Sequence, residues 1–260
     1  MVMWLQKIKI LNLEIDNISM NELLEDLSQG VVVTPNVDHA VRIQNDYEFY
    51  KVFKDADYVI CDSKLLQFSS YLLGSPIKEK ISGSDFFPAF YQYHAQNEDI
   101  KIFLLGAAEG IAGKAANIIN EKVGRQIVVN AYSPSYGFEK DEIECLMLVE
   151  MIKESDANVL AVGVGSPKGE KWIMNYKSLL PNINIFMGIG ATIDFEAGNV
   201  KRAPTWISKI GMEWLYRLYH EPKRLWKRYL VDDMPFFWLL LKSRLGLYKN
   251  PWIFKSKDEK

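Results

Sequence analysis

The sequence predicts an α/β protein with a Rossmann-like, mostly parallel sheet covered by helices on both faces, followed by a basic helical appendage. Three observations predict this fold. Short, uniformly apolar runs alternate with longer amphipathic stretches, as buried parallel strands alternate with helices. Several of the apolar runs end directly in glycine or in a polar residue, as strands do at the ligand-binding edge of such sheets. The alternation stops after Gly198, where the sequence becomes basic.

The strands and helices are predicted from two kinds of local pattern. Strands are assigned to β-branched and apolar runs that end at turn residues, and helices to stretches with apolar residues at helical spacing. The predicted strands are residues 30–34, 58–61, 101–105, 126–131, 158–162 and 184–187. The predicted helices are residues 38–53, 64–73, 111–123, 141–154 and 170–180, with a further helical region at residues 201–245.

Length and composition exclude several classes of protein. The chain has 260 residues, 48% of them hydrophobic and 25% charged, which is typical of a globular protein with a sizeable core. No stretch reaches the roughly 18 consecutive apolar residues of a membrane-spanning helix. The N-terminal segment lacks the features of a signal peptide, and only two cysteines are present, which favours a reducing compartment.

Charge divides the chain into two predicted parts, which we call the body (residues 1–200) and the appendage (residues 201–260). The appendage holds 14 Lys and Arg against 6 Asp and Glu, whereas the body carries an acidic excess of 10 charges. Basic residues interspersed with tryptophans favour an anionic membrane surface over nucleic acid as the partner. The alternative is a solvated basic helix with some tryptophans packed on the body. The appendage tryptophans are Trp206, Trp214, Trp226, Trp238 and Trp252.

Glycines after the predicted strands indicate a phosphate-containing ligand, most naturally a nucleotide. A glycine there lets backbone N–H groups approach an anion, next to the positive N-terminus of the following helix. The dinucleotide fingerprint G-x-G-x-x-G is not met, because in residues 163–169 the third glycine comes one position late. A nucleotide-dependent oxidoreductase, which needs that spacing, is therefore disfavoured.

Asp62 is the carboxylate with the clearest catalytic potential. It follows an apolar predicted strand, so partial desolvation there would raise its pKa and suit it to act as a general base. The alternative is that Asp62 caps the helix predicted at residues 64–73. Local sequence alone favours the cap.

No metal site is predicted. Asp55 and Asp57 match a D-x-D pattern that holds a divalent metal in many glycosyltransferases, but they precede their strand and so lie at the amino edge of the sheet. The three histidines His39, His94 and His220 lack metal-ligand spacing, and the cysteines do not complete a site.

Three arginines of the appendage are candidates for binding phosphate or diphosphate. Arg217, Arg224 and Arg228 are spaced by 7 and 4 residues, so on one straight helix they would share a face. Pro222 is expected to kink that helix or to start a new one. Solvated surface charge is the alternative.

The chain resembles the WecG/TagA/CpsF family of bacterial glycosyltransferases over nearly its whole length. The segments that carry the resemblance are TPNVDHAVRIQND at residues 34–46, ADYVICDSKLL at 56–66, SGSD at 82–85, LLGAAEG at 104–110, SPSYGF at 133–138, VGVGSPKGEKWI at 162–173 and GIGATIDFEAGNVKRAPTWISKIGMEWLYRLYHEPKRLWKRYL at 188–230. Two departures from the family pattern are Gly169, where the family commonly has glutamine, and Lys80, where it often has arginine.

The resemblance implies an inverting transfer of a sugar, typically of the N-acetylmannosamine type, from a UDP-sugar to a saccharide on a polyprenyl diphosphate. This would serve teichoic acid or other cell-surface polysaccharide synthesis at the cytoplasmic face of the bacterial inner membrane, with no metal or other cofactor. Homo-oligomers and an appendage that completes the active site are also implied. The alternatives are a UDP-glucose-type hexosyltransferase of exopolysaccharide assembly and a catalytically silent nucleotide-binding module at the membrane surface.

The resemblance also implies roles for individual residues. Asp62 matches the proposed base of the family. The expected nucleotide-sugar cleft comprises Thr34, Asn36, Gly106, Tyr136, Gly137, Gly163, Gly165, Glu170, Gly188 and Gly190. The expected contacts to the acceptor or to a diphosphate are Ser84, Asp85, Arg217, Arg224 and Arg228.

Overall fold

The structure, a computed structural model, confirms the predicted α/β class with a six-stranded, all-parallel sheet. It describes residues 6–204, 207 and 211–253, so Trp206 lies outside the described residues. The strands are β1 (Lys7–Ile10), β2 (Leu13–Asp16), β3 (Gly30–Val33), β4 (Tyr58–Val59), β5 (Ile102–Gly106), β6 (Val128–Tyr132), β7 (Val159–Gly163) and β8 (Ile185–Gly188). The order in the main sheet is β4-β3-β8-β7-β5-β6.

Helices cover both faces of the sheet. The helices of the body are α1 (Met20–Asp26), α2 (Val37–Arg42), α3 (Tyr47–Asp55), α4 (Lys64–Leu72), α5 (Gly83–Tyr93), α6 (Ile111–Val123), α7 (Glu142–Glu154), α8 (Lys168–Tyr176) and α9 (Thr192–Glu196). Alternate residues of one strand enter different cores. In β3, Val31 and Val33 pack with Phe49 and Trp172 on one face, whereas Val32 packs with Phe87 on the other. Burial on both faces explains why the strands are uniformly apolar.

The predicted helix at residues 38–53 is wrong, because the chain forms two helices, α2 and α3, with a turn between them. Asp46 causes the second helix to begin: its side chain accepts a hydrogen bond from the Phe49 N–H, as an N-cap does. The same carboxylate pairs with Lys171 of α8 at 2.7 Å, which fixes the start of α3 against the body.

An N-terminal hairpin was not predicted. Strands β1 and β2 pair in antiparallel fashion, and Leu11 adopts a positive φ of 57° in the turn between them. Asp16 at the end of β2 is buried, and its carboxylate accepts a hydrogen bond from the Val59 N–H at 2.7 Å. The hairpin therefore supports β4, which is only two residues long.

The appendage contains three described helices: α10 (Glu213–His220), α11 (Pro222–Lys227) and α12 (Pro235–Arg244). Pro222 stands in the first turn of α11. Of the two expectations for this proline, a kink or the start of a new helix, the second is confirmed. A π-helical turn over Arg228–Asp232 leads to α12. Phe236 and Leu240 are buried in the same core cluster as residues of α2 and α3, and Leu225 is also buried. The division at residue 200 stays a prediction. Among the described residues, no helix is long and apolar enough to cross a membrane.

A crevice is expected where the connections from two neighbouring strands run in opposite directions. Strand β5 leads outward to β6, whereas its neighbour β7 leads towards β8 on the other side. Gly106 and Gly163 end these two strands so closely together that a Cβ on Gly106 would lie 2.5 Å from the Gly163 carbonyl carbon. Ligands bind outside the carboxyl edge of α/β sheets at such switch points.

Candidate functional site

The structure brings most of the predicted site residues to the carboxyl edge of the sheet. Thr34 and Asn36 follow β3, and Asp62 follows β4. The glycine segments 163–165 and 188–190 follow β7 and β8, the strands in the middle of the sheet. Because the strands are parallel, these loops lie along one edge, where α10 also approaches Asp62.

Asp62 does not cap a helix, so the interpretation that local sequence favoured is wrong. The N-cap of α4 is Ser63, whose hydroxyl accepts a hydrogen bond from the Leu66 N–H at 3.0 Å. The Asp62 backbone N–H donates to the Pro35 carbonyl at 3.1 Å, which joins the loops after β3 and β4. No described residue donates a hydrogen bond to the Asp62 carboxylate. The carboxylate is therefore available for chemistry.

The surroundings of Asp62 raise the pKa of its carboxyl group towards the neutral range. The residue keeps partial solvent access, but protein surrounds the carboxyl group closely, and burial raises its pKa to about 8. The charges of Glu213 and Asp85 also raise this pKa, whereas those of Lys80 and Arg217 oppose the rise. Glu213 and Arg217 belong to α10, so the appendage contributes charge of both signs to the site.

A group of ion pairs lies beside Asp62. The Asp85 carboxylate accepts hydrogen bonds from the Lys80 ammonium at 2.7 Å and from the Ser82 hydroxyl at 2.6 Å, and Arg202 also pairs with it. Arg202 donates in addition to the Ser84 carbonyl at 3.0 Å. Burial opposes ionisation of Asp85, but these partners hold its pKa down at about 2. This carboxylate is thus engaged within the protein, and neither Lys80 nor Arg202 was a candidate in the sequence.

A second ionic cluster joins the appendage to α2. Asn36 caps α2 by accepting from the His39 N–H at 3.3 Å, and its side-chain oxygen also lies 3.3 Å from a terminal nitrogen of Arg228. The same nitrogen lies 3.4 Å from the buried Asp38 carboxylate, which accepts from Arg42 at 2.8 Å. Arg228 therefore reaches the loop after β3 rather than Asp62.

The three candidate arginines do not lie on one helix, so their expected common face is not formed. Arg217 is on α10, Arg224 is on α11, and Arg228 begins the π-helical turn. The guanidinium carbon of Arg217 lies 5.9 Å from the centre of the Phe195 ring, and its Nε is buried without a hydrogen-bond partner among the described residues. The Arg224 side chain lies outside the described part of the chain.

The glycines at the sheet edge divide into two groups. Gly106, Gly163 and Gly188 are buried, and close packing of neighbouring atoms explains them. Gly165 and Gly190 instead have positive φ values of 83° and 53° with open space where a Cβ would be. Their loops are therefore the ones that can approach a ligand with their backbone.

Glu170 faces the central loops from α8. Its side chain would contact a Cβ on Gly188 at 3.3 Å, and its Oε2 is buried without a hydrogen-bond partner among the described residues. Burial raises the pKa of Glu170, whereas its own backbone N–H and the nearby Ser166 hydroxyl oppose the rise. A buried carboxyl with an open position can accept a hydrogen bond from a ligand hydroxyl or N–H group.

Tyr136 lies on the loop after β6, where Gly137 has a positive φ of 88°. The tyrosine side chain is fully exposed, and the Lys168 ammonium lies 4.8 Å from its ring centre. Lys168 also pairs with Glu139 at 2.9 Å. An exposed ring with a free face can stack on a flat ligand group such as a base.

The predicted absence of a metal site stays a prediction, although the D-x-D carboxylates have structural explanations. The Asp57 carboxylate accepts a hydrogen bond from the Val31 N–H at 2.8 Å, at the amino edge of the sheet as expected, and Asp55 ends α3. In the described residues, no three His, Cys, Asp or Glu side chains are grouped so that they could hold a metal ion. His39 is buried beside Phe49, and burial lowers its pKa to about 3.

Comparisons with known proteins identify the family of the chain. The model of the glycosyl transferase WecG/TagA/CpsF family matches residues 8–250. A relative from Bacillus subtilis (strain 168) is 29% identical over 232 residues, which cover 89% of this chain and 85% of the relative. One from Bacillus spizizenii is 30% identical over 238 residues, with 90% and 88% covered. One from Staphylococcus aureus (strain MW2) is 25% identical over 240 residues, with 89% and 90% covered. Each is named N-acetylglucosaminyldiphosphoundecaprenol N-acetyl-beta-D-mannosaminyltransferase.

The capping arrangement predicts opposite effects on stability for two neighbouring substitutions. Ser63→Ala removes the N-cap of α4 and should lower the free energy of unfolding by about 1 kcal/mol. Asp62→Asn should not lower it. The folded-state pKa of Asp62, about 8, exceeds the ordinary value of 3.8, so ionisation destabilises the fold progressively from about pH 4 to pH 8. The asparagine side chain of the variant cannot ionise, so the variant should gain on wild type as pH rises.

Urea unfolding of both variants and of wild type at pH 5 and pH 8 measures these effects. A loss of stability in Asp62→Asn with none in Ser63→Ala would contradict the capping assignment.

Proposed function

The chain belongs to the WecG/TagA/CpsF family of glycosyl transferases, and we propose that it transfers an N-acetylmannosamine-type sugar from a UDP-sugar to a polyprenyl-diphosphate-linked saccharide. The observation that carries the proposed chemistry is the Asp62 carboxylate, free of hydrogen bonds from described residues and with its pKa raised to about 8. The proposed acceptor follows the names of the relatives, which contain N-acetylglucosaminyldiphosphoundecaprenol. The pathway we propose is synthesis of teichoic acid or a related cell-surface polymer.

In the proposed reaction, Asp62 accepts the proton of the acceptor hydroxyl. As that proton leaves, the hydroxyl oxygen forms a bond to the anomeric carbon of the donor sugar, and the bond from that carbon to UDP breaks. Attack opposite to the departing UDP inverts the anomeric centre. A base with a pKa near the working pH suits this step, because it is available in its ionised form and still binds the proton strongly.

The UDP-sugar would lie across the loops at the carboxyl edge of the sheet. Gly165 and Gly190 leave room for backbone N–H groups to approach the diphosphate. The Glu170 Oε2, which has no hydrogen-bond partner among the described residues, is suited to bind a sugar hydroxyl, and Tyr136 is suited to stack on the uracil base. Thr34 and Asn36 would border the cleft next to Asp62.

Negative charge develops on the diphosphate as UDP leaves, and arginine is the residue type suited to stabilise it. Arg217 is the best-placed described arginine, because its charge already reaches Asp62 and its buried Nε has no hydrogen-bond partner among the described residues. Arg228 contacts Asn36 and Asp38, so we propose that it holds the appendage against the body. It also stays a candidate for a phosphate contact. Arg224 stays a candidate, and Ser84 borders the same region beside Asp85.

The appendage is also the proposed contact with an anionic membrane surface, at the cytoplasmic face of the inner membrane. Phe236 and Leu240 bury one side of α12 in the core, and the opposite side exposes apolar residues. These exposed residues are Phe237, Trp238 and Leu241, and the exposed Leu245 follows at the C-cap. Lys242 lies over the Trp238 ring at 5.2 Å, which combines basic and aromatic groups as interfacial helices do. We keep homo-oligomer formation as an expectation and propose no nucleic-acid partner.

Loss of the Asp62 base should abolish most of the activity. We expect Asp62→Asn to lower turnover by roughly 10²–10⁴-fold while UDP binding stays nearly unchanged. Because the ionised base is the active form, wild-type kcat/KM should rise about tenfold per pH unit below pH 8 and level off above it. UDP release with a polyprenyl-diphosphate-N-acetylglucosamine acceptor measures both, and Asp55→Asn, an exposed carboxylate on α3, is the matched control.

A donor screen with this acceptor separates the candidate functions. Preference for a UDP-N-acetylmannosamine donor supports the proposal, whereas preference for UDP-glucose identifies the hexosyltransferase alternative. Nucleotide binding without transfer from any donor would identify the catalytically silent module. Full turnover in Asp62→Asn would remove Asp62 from the mechanism.

Metal removal should leave the activity intact, because arginine and backbone N–H groups can stabilise the leaving diphosphate. We expect equal rates before and after treatment with EDTA, measured by UDP release. Asp55→Asn with Asp57→Asn removes both carboxylates of the D-x-D pattern and should leave the rate unchanged, because an amide oxygen at position 57 can still accept the hydrogen bond from the Val31 N–H. Activity that EDTA abolishes and Mn²⁺ or Mg²⁺ restores would show that a metal site had been missed.

Membrane binding should depend on the exposed side of α12. The triple substitution Phe237→Ser, Trp238→Ser and Leu241→Ser should weaken binding to anionic liposomes by at least roughly tenfold, since each buried apolar side chain contributes about 1.5–3 kcal/mol. High salt should weaken wild-type binding without abolishing it, because salt does not screen apolar burial. Liposome sedimentation measures this, with Ile143→Ser, an exposed residue of the body, as the control. Equal binding by the triple variant and the control would contradict the assignment.

A further inference from the structure

A chain of alternating charges connects the start of the appendage to Asp62. Arg202 lies only two residues after the body ends, and its guanidinium pairs with Asp85 while donating to the Ser84 carbonyl at 3.0 Å. The other oxygen of Asp85 accepts from Lys80 at 2.7 Å. The two Asp85 oxygens thus hold one cation from the body and one from the appendage.

Lys80 lies next to the strand end that carries Asp62. The Ile81 N–H donates to the Cys61 carbonyl at 2.7 Å, so residues 80–82 run beside residues 60–62. Only 11% of the Lys80 side chain is exposed, and its charge acts on both Cys61 and Asp62. The Ser82 hydroxyl, which caps α5, fixes the same Asp85 oxygen that Lys80 contacts.

We propose that Asp85 and Arg202, together with Lys80, set the charge around Asp62, and that this charge depends on Arg202 being seated on Asp85. This inference rests on the proposed function of Asp62. Neither residue touches the reacting atoms, and Asp85 is engaged by protein cations and so is not free to contact a diphosphate, with which its charge would also clash.

The electrostatic consequence has a definite sign. Lys80 and Arg202 together carry two positive charges against the single negative charge of Asp85. Removal of Arg202 leaves Asp85 less neutralised, so Asp62 should hold its proton more strongly. Removal of the Asp85 charge leaves the positive charges of Lys80 and Arg202 without this counter-charge, so Asp62 should lose its proton more readily.

Other charged groups that face Asp62 stay the same in this comparison. They are Glu213 and Arg217 of α10, which have opposite signs. Lys64 of α4 is engaged by Gln67 at 3.0 Å. A movement of α10 as a whole would withdraw both of its charges together, so it would not reproduce opposite shifts in two variants.

The test measures the titration of Asp62 directly in the full-length protein labelled with ¹³C at the aspartate carboxyl carbons. The Asp62 signal is assigned by its absence in Asp62→Asn. Compared with wild type, we expect the midpoint to rise by roughly 0.5 pH unit in Arg202→Gln and to fall by roughly 1 pH unit in Asp85→Asn. Lys201→Gln removes an equal charge from the exposed neighbouring residue and should leave the midpoint unchanged, whereas Arg202→Lys should restore it.

The acid limb of the kcat/KM profile should move in the same directions as the midpoints. Unchanged midpoints in Arg202→Gln, or shifts of the same sign in Arg202→Gln and Asp85→Asn, would overturn the inference and leave Arg202 a merely structural contact. If Asp85→Asn does not fold, the comparison of Arg202→Gln, Arg202→Lys and Lys201→Gln decides the question. A wild-type protein with the expected titrations but no sugar transfer would instead refute the proposed function.

Discussion

The site depends on the Asp62 carboxylate, which is desolvated and receives no stabilising hydrogen bond from any described residue. An ionised carboxylate in such a position is costly, and proteins usually satisfy it with backbone or side-chain donors. Here Ser63, not Asp62, is the N-cap of α4. The Asp62 carboxylate, in the loop after β4, therefore lacks the hydrogen bonds that an N-cap receives. The two-residue strand, the hairpin that supports it and the bond from the Asp62 N–H to Pro35 all fix the place of this one carboxylate.

The body and the appendage share the electrostatics of the site. The body supplies Lys80 and Asp85, whereas the appendage supplies Glu213 and Arg217. Arg228 of the appendage also contacts Asn36 and Asp38, which follow β3, the strand next to β4 in the sheet. The positive charge excess of the appendage is therefore distributed over specific positions, and only some of its cations, such as Lys242, lie beside the exposed aromatic residues of α12.

Much of the fold could be predicted because strand burial and helix periodicity are strong local signals. The helix over Ile111–Val123 was predicted at its observed bounds, and Asp141 and Gly124 mark helix ends as their residue types suggest. The break between α2 and α3 was missed because the apolar spacing continues through a turn that Asp46 decides. The hairpin was missed because its strands are short, although the alternation in β1 and β2 was a usable signal.

The site was predictable only in its outline. Strand ends and glycines indicated the sheet edge, and the family resemblance selected Asp62 over the cap that local sequence favoured. The partners that set the charge of Asp62 are separated from it by up to 155 residues of sequence, so no local pattern reveals them. Arg202 and Asp85 illustrate this, because their contact spans 117 residues.

The end of the described chain returns to the turn between α2 and α3. Trp252 donates its indole N–H to the Ile43 carbonyl at 2.6 Å, and the Tyr248 hydroxyl donates to Gln44 at 2.8 Å. With Arg202 paired to Asp85 near its beginning, the described part of the appendage is held to the body near both of its ends. Closing a loop reduces the conformational entropy that its interior gains on detachment, so a partly detached appendage recaptures the body as a local, intramolecular event. The helices between these two anchors can therefore detach and reseat without the appendage diffusing away from the body.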